Sequence, residues 1–288
     1  MNIFYNLSMR TLPGLLRVHG VFNTKSRQAA VGRNHWRRTL RQRLAALPQG
    51  SRIVWFHAAS LGEFEQGRPV LETLRRRMPE VRILLTFFSP SGYNVRKDYP
   101  GADIVTYLPF DTPSAARDFV RMVHPAAAVF IKYEFWGNYL RELRKRGIPV
   151  YIISAIFRPD QLFFQWFGKP YRKMLSYFNH LFVQYERSMK LLNEFGITNV
   201  TVTGDTRFDR VLDVRKQARE LPFIERFLES KEGKRPIVMV AGSSWPQDEA
   251  IFIPYFHEHP EMKLIIAPHE IHREHLLSIE AMLKRPSV

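Results

Sequence analysis

Residues 52–69, RIVWFHAASLGEFEQGRP, open with a β-branched and aromatic run, pass through the small residues Ala58, Ala59 and Ser60, and continue in helical period from Leu61. A continuous apolar strand feeding a helix through a tight turn is the repeating unit of a parallel sheet buried on both faces. The rhythm recurs downstream. Strand candidates lie at 81–88 (VRILLTFF), 103–110 (DIVTYLPF), 126–133 (AAAVFIKY), 150–157 (VYIISAIF), 180–186 (HLFVQYE) and 199–205 (NVTVTGD), with helical stretches between most of them. This alternation predicts an α/β fold with a doubly wound parallel sheet over 51–205. Asp111-Thr112-Pro113 offers an N-cap and an early proline before SAARDFVRMV, a helix start signal.

From 206 to 234 the strand rhythm gives way to a charged, helix-favouring stretch, which predicts an interdomain connection. The βα pattern then restarts with PIVMVAGSS (236–244) and MKLIIAPHE (262–270). Two parallel strands do not make an independently stable sheet, so the second domain, 235–288, is expected to be incomplete.

The 288 residues are 45% hydrophobic, enough to bury a large core. The absence of cysteine excludes disulfides, thiolate nucleophiles and Cys-based zinc sites. A formal charge of +16 points to anionic partners: nucleic acid, acidic lipid or phosphorylated substrate. Residues 1–50 carry Arg10, Arg17, Lys25, Arg27, Arg33, Arg37, Arg38, Arg41 and Arg43 with no Asp or Glu, and so form a basic arm. Ile3, Phe4, Tyr5, Leu7, Leu12, Leu15, Leu16 and Phe22 are interleaved with those cations, a pattern suited to lying in an anionic membrane surface. An amphipathic helix packed on the domain is the alternative. No stretch reaches the roughly 20 apolar residues of a spanning helix, and signal-peptide features are not seen.

In open α/β sheets ligands bind beyond the carboxyl ends of the strands. Glu63 follows the first strand in this way and sits in a first helical turn, where the dipole favours an ionised carboxylate able to take a proton from a hydroxyl. It can equally be a capping charge. Gly242, Ser243 and Ser244 occupy a strand-to-helix turn where amides can approach a phosphate. His269 and Glu270 end the next strand, with His272 close by; the trio invites a metal reading, with contact to a cytidine or phosphate the favoured alternative. LFFQWFGKPYRKMLSYF (162–178) is aromatic and basic, like a base-stacking surface or a membrane-seeking helix; core packing with a cationic rim is the expectation.

HAASLGE (57–63) resembles the HAxSxGE signature of the 3-deoxy-D-manno-octulosonic acid (Kdo) transferases. Further segments are similar in order. TFFSPSGY (86–93) resembles the TxTxTG segment, IKYEFWGN (131–138) the ETExWPN block, GDTRFD (204–209) GNxKFD, AGSSWPQDE (241–249) GSTHxGEE, and IIAPHEIHRE (265–274) the PRHPER-type segment. ISAIFRP (153–159) departs from the NARLS-type block, Gly137 replaces a proline, and Arg207 replaces a lysine.

The resemblance implies a GT-B fold of two Rossmann-like domains and an inverting transferase without metal or cofactor. It would move Kdo from CMP-Kdo to the lipid A precursor, lipid IVA, in lipopolysaccharide synthesis. The N-terminal domain would hold the acceptor and the C-terminal domain the donor. Glu63 would be the general base, with Ser60, Gly62, Ser91, Gly92, Glu134 and Arg207 supporting it. Gly242, Ser243, Ser244, Pro268, His269 and Glu270 would contact the donor nucleotide. The implied location is the cytoplasmic face of the bacterial inner membrane, peripheral or monotopic, with no nucleic acid as partner. A transferase using another nucleotide sugar, a basic nucleic-acid-binding protein and a fragment without catalysis are the alternatives.

Overall fold

The structure, a computed structural model, describes residues 3–216, 220–229 and 236–284. The chain divides into two compact units, Met1–Lys216 and Gln217–Val288. In the first, α1 (Ile3–His19), α2 (Thr24–Val31) and α3 (Trp36–Ala45) precede β1 (Ile53–Ala58) and α4 (Leu61–Arg77). There follow β2 (Arg82–Phe87), α5 (Pro90–Arg96), β3 (Ile104–Tyr107), α6 (Pro113–Val123), β4 (Ala127–Ile131) and α7 (Gly137–Lys145). β5 (Val150–Ala155), a short 3-10 turn (Leu162–Phe164), α8 (Lys169–Leu175), β6 (His180–Val183), α9 (Glu186–Glu194), β7 (Val200–Val202) and α10 (Arg207–Lys216) complete the unit. The second contains α11 (Pro222–Leu228), β8 (Ile237–Ser244), α12 (Pro246–Glu258), β9 (Met262–Pro268) and α13 (Arg273–Met282).

The first unit's strands pair in parallel in the order β3-β2-β1-β4-β5-β6-β7. Both faces are buried because successive side chains of a strand point opposite ways. Trp55 of β1 joins Phe119, Phe130 and Tyr139 on one face, whereas the adjacent Phe56 joins Phe64, Leu85 and Phe87 on the other. This is the α/β, doubly wound parallel architecture expected. The chain winds outward from β1 through β2 to β3, then returns to place β4 on the other side of β1. That reversal is the topological switch point, so the carboxyl ends of β1 and β4 frame the natural binding position. Gly67 brings α4 against it. A Cβ at this position would lie 2.1 Å from Ile131 Cδ1, at the end of β4, so a side chain would require the buried Ile131 or the helix that carries Glu63 to shift.

The 1–50 segment differs from a free arm. Leu40 of α3 is only 2% exposed within the core, and the buried Arg33 guanidinium donates to the carbonyls of Ala29, Phe88 and Leu108. It lies over the rings of Phe88 and Phe110, and burial lowers its pKa to about 10. α1 exposes the apolar side chains of Phe4, Leu7, Leu15 and Val18, and the turn after it those of Val21 and Phe22. In the 206–234 stretch, α10 belongs to the first unit and packs on α4; residues 217–219 and 230–235 lie outside the described residues. In the second unit β8 and β9 pair in parallel, with Ile253, Phe256 and Ile279 buried.

The 111–113 signal is divided between two helices. Thr112 caps α6, its side chain accepting from Ala115 N. Asp111, fully buried, instead accepts from the amides of Asn138 and Tyr139 at the start of α7 (2.9 and 3.0 Å) and from the Tyr5 hydroxyl (2.6 Å). Burial raises its pKa to about 6.

Candidate active site

Glu63 stands in the first turn of α4, directly beyond the end of β1, and is half-buried. Its Oε2 accepts from Ala59 N at 2.6 Å, so the carboxylate caps its own turn, as the plainer sequence reading allowed. That contact does not make it an ordinary capping charge. Burial raises its pKa to about 7, and the neighbouring Glu134 carboxylate adds to the rise; the Ala59 amide, Lys132 and the Ser60 amide only partly oppose it. The fully ionised state expected from the helix dipole is therefore corrected, because desolvation and like charge outweigh the amides. A carboxylate titrating near neutrality suits a general base better than one fixed in either form. Ser60 makes no side-chain cap, and Gly62 borders open space with nothing within 4 Å of where its Cβ would be.

Glu134, just past β4, is 7% exposed and held by a network the sequence did not disclose. Its Oε2 lies 2.9 Å from His57 Nε2 and accepts from Trp136 Nε1 at 2.6 Å. His57 Nδ1 faces the carbonyl (3.1 Å) and hydroxyl (2.9 Å) of Thr86, whose hydroxyl also accepts from Trp55 Nε1. A carbonyl can only accept, so the contact with Thr86 O places a donor at Nδ1, while Nε2 faces both the Glu134 carboxylate and the Trp136 indole N–H (3.0 Å). His57 and Thr86 are completely buried. The pair is thus a rigid post between β1, β2 and β4 that fixes Glu134 beside Glu63. His57 lies in the quoted HAASLGE and Trp136 in IKYEFWGN. No spacing rule announces that β1 and the turn after β4 bring them together.

Lys132, which follows β4 two residues before Glu134, adopts φ 68°. That left-handed turn is costly for a residue with a side chain and is common where a chain is re-aimed at a site. Trp136 packs on Phe88 with ring centroids 4.8 Å apart, and Phe88 meets Phe110 edge-on, giving the β-strand ends a half-buried apolar wall.

Ser91 and Gly92 begin α5. Ser89 is its N-cap, accepting from Ser91 N, while Ser89 N donates to Ala59 O at 2.6 Å, so this turn braces the Glu63 turn. Gly92 acts through packing: a Cβ there would lie 2.3 Å from the Phe87 ring and 3.1 Å from Leu61 N. Gly92→Ala should cost about 1–3 kcal/mol of stability, measured by thermal unfolding, and displace the start of α4. Arg207, on α10, is drawn to Asp205, donating from Nε at 2.8 and 3.0 Å, so an anion would have to compete with that carboxylate.

In the second unit, Ser243 takes φ 59° and its hydroxyl lies 2.8 Å from His269 Nδ1; the His269 ring stacks on Trp245 at 4.5 Å. Gly242 borders open space and Pro268 closes β9. Ser244 is buried and donates to Glu249 Oε1 (2.9 Å), which turns it away from a ligand role. Glu249 also meets His275 Nε2 at 2.8 Å and holds that imidazole above its usual range. Glu270 pairs with His272. Among the described residues no group of three His, Asp or Glu could hold a metal ion.

The family model of the 3-deoxy-D-manno-octulosonic-acid transferases (kdotransferases) matches residues 36–210, which include β1 to β7, Glu63 and Glu134. The chain belongs to this family. A Kdo transferase of Rickettsia felis is 26% identical over 206 residues, covering 70% of this chain and 42% of its own length. A Kdo transferase of Bordetella pertussis is 31% identical over 166 residues, covering 55% of this chain and 38% of its own length. The chain thus spans less than half the length of these relatives. Its fold, of the GT-B class, is shared with the UDP-GlcNAc 2-epimerase of Neisseria meningitidis bound to UDP-GlcNAc, at TM-score 0.55 and 13% identity over 83% of this chain and 72% of that one.

Proposed function

We propose that the protein is an inverting glycosyltransferase that moves Kdo from CMP-Kdo to a hydroxyl of the lipid A precursor, with Glu63 as the general base. The observation that carries this reading is the half-buried Glu63 beside Glu134 at the switch point of the sheet, where burial pushes its pKa up to about 7, in a member of the Kdo transferase family. Glu63 would take the acceptor hydroxyl proton as that oxygen bonds to the anomeric carbon of Kdo, and CMP would leave from the opposite face with the bonding electrons. The half-buried wall of Phe88, Phe110 and Trp136 would receive the acceptor, with Ser60, Gly62 and Ser91 at its rim. Lys132 and, after release from Asp205, Arg207 would meet anionic groups. Ser243, His269 and Trp245 would face the nucleotide.

The proposed location is the cytoplasmic face of the bacterial inner membrane. The exposed apolar side chains of α1 and the cations of the N-terminal segment support peripheral attachment, and among the described residues no helix is long and apolar enough to cross a membrane.

Transfer should be assayed with CMP-Kdo and lipid A precursor, with UDP- and GDP-sugars as controls; turnover with those sugars alone would refute the donor assignment. The pH profile gives a sharper check. Because Glu63 must be ionised to act, kcat/KM should rise through about pH 7 and level off above it. Glu134→Gln removes a like charge and should move that inflection toward acid. An inflection unmoved by the substitution would dissociate Glu134 from the base.

A further inference from the structure

The segment between β5 and α8 contradicts the expectation of simple core packing at its tip. Phe163 is buried, with its ring 4.7 Å from that of Phe135. Trp166, however, is 92% exposed, Phe167 stands edge-on to it at 5.3 Å, and Leu162 is also exposed. This loop is built rather than slack. Gly168 N donates to Gln165 O (2.8 Å), Arg172 Nη1 to Phe163 O (2.9 Å), and Gln165 Nε2 to Pro159 O (3.0 Å). Gly168 itself is required, since a Cβ there would fall 2.1 Å from the Leu162 carbonyl oxygen. A defined set of hydrogen bonds therefore holds the chain's most exposed tryptophan out in water.

We propose that this loop is a second seat on an anionic lipid bilayer, with Trp166 and Phe167 entering the interface and Arg158, Lys169 and Lys173 meeting acidic head groups. The inference rests on the membrane-surface reading above and adds a contact site to it. Charge and chemistry select the occupant. The three cations are exposed on the same segment, 158–173, as the aromatic tip, in a chain of net charge +16, and an indole accompanied by cations is the usual composition of an interfacial anchor. Position supports it as well. Phe135 holds the loop through Phe163, while two residues later Gly137 N donates to the Tyr5 hydroxyl of α1 (3.3 Å). The two apolar exposures thus flank one turn, 135–137, directly after Glu134. A bilayer touching both would lie near the carboxyl ends of β1 and β4, beyond which Glu63 stands and where a lipid-borne acceptor must arrive.

The test uses the full chain, phosphatidylglycerol-containing and pure phosphatidylcholine vesicles, and brominated acyl chains as tryptophan quenchers. Wild type should bind the anionic vesicles preferentially and show quenching. Trp166→Ser, at an exposed tip, should melt at the wild-type temperature, bind about tenfold more weakly and lose most of the quenching. Its transfer to a water-soluble, deacylated acceptor should be unchanged. If wild type binds no vesicle, the membrane reading and the loop proposal both fall. If wild type binds and Trp166→Ser binds and is quenched equally, the loop proposal alone falls. Loss of transfer to the soluble acceptor, or a Trp166-dependent dimer seen by light scattering without lipid, would also overturn it by making the tip part of the site or a self-association surface.

Discussion

Glu63→Gln should abolish most transfer while making the protein more stable at alkaline pH. Removing a general base typically costs 10²–10⁴-fold, and about 10³-fold in kcat is expected here. The stability effect has the opposite sign. The carboxyl pKa is raised from 4.5 to about 7 in the folded protein, so ionising Glu63 works against folding. The favourable contribution of the protonated form is fully present below about pH 4.5 and is lost as pH rises through 7. Glutamine keeps an oxygen for the Ala59 amide and never ionises. The variant should match wild type near pH 5 and exceed it by about 1–2 kcal/mol at pH 8, allowing for partial solvent exposure. Paired activity and thermal-melt measurements would read this. An inactive variant that is less stable at both pH values would instead mark Glu63 as a structural cap.

Asp111→Ala should be among the most destabilising single changes in the first unit. It strips the acceptor from the Asn138 and Tyr139 amides at the buried start of α7 and from the Tyr5 hydroxyl. Unpaired buried donors cost about 1–3 kcal/mol each, so a loss of about 3 kcal/mol or more and a fall of roughly 10 °C in melting temperature are expected. Hydrogen exchange should locate the damage at the first turns of α1 and α7. Tyr5→Phe, which removes one hydrogen bond and leaves the amides capped, should cost about 1 kcal/mol. If Asp111→Ala melted like wild type, the buried cap would carry no weight in holding α1.

The strands were legible because a parallel sheet covered on both faces demands continuous apolar runs, and RIVWFHA and its successors supply them. Glu63 and Glu134 were legible through the segments that contain them. Their chemistry was not: the helix dipole favours an ionised Glu63, and only the placement of Glu134 and the burial around it reverse that preference. Long-range pairing hid the rest. Asp111 reads locally as a cap for the helix that follows it, yet it caps α7, which lies beyond β4. His57 reads as a strand residue until Thr86 and Glu134 close on its two nitrogens. Arg33 belongs by composition to a solvated arm, but the rings of Phe88 and Phe110 and the carbonyls of Phe88 and Leu108 that bury it come from the loops following β2 and β3. Trp166 shows the reverse case, an aromatic in a core-like stretch that hydrogen bonds elsewhere in its loop keep outside.

Direct titration of the Glu63 side chain, by carbon-13 NMR of labelled glutamate with the resonance assigned through its loss in Glu63→Gln, is the decisive experiment. The carboxyl should titrate at about pH 7, together with the rise in kcat/KM. A midpoint in the ordinary glutamate range, about 4.3, with activity still rising through neutrality, would contradict the assignment of Glu63 as the base.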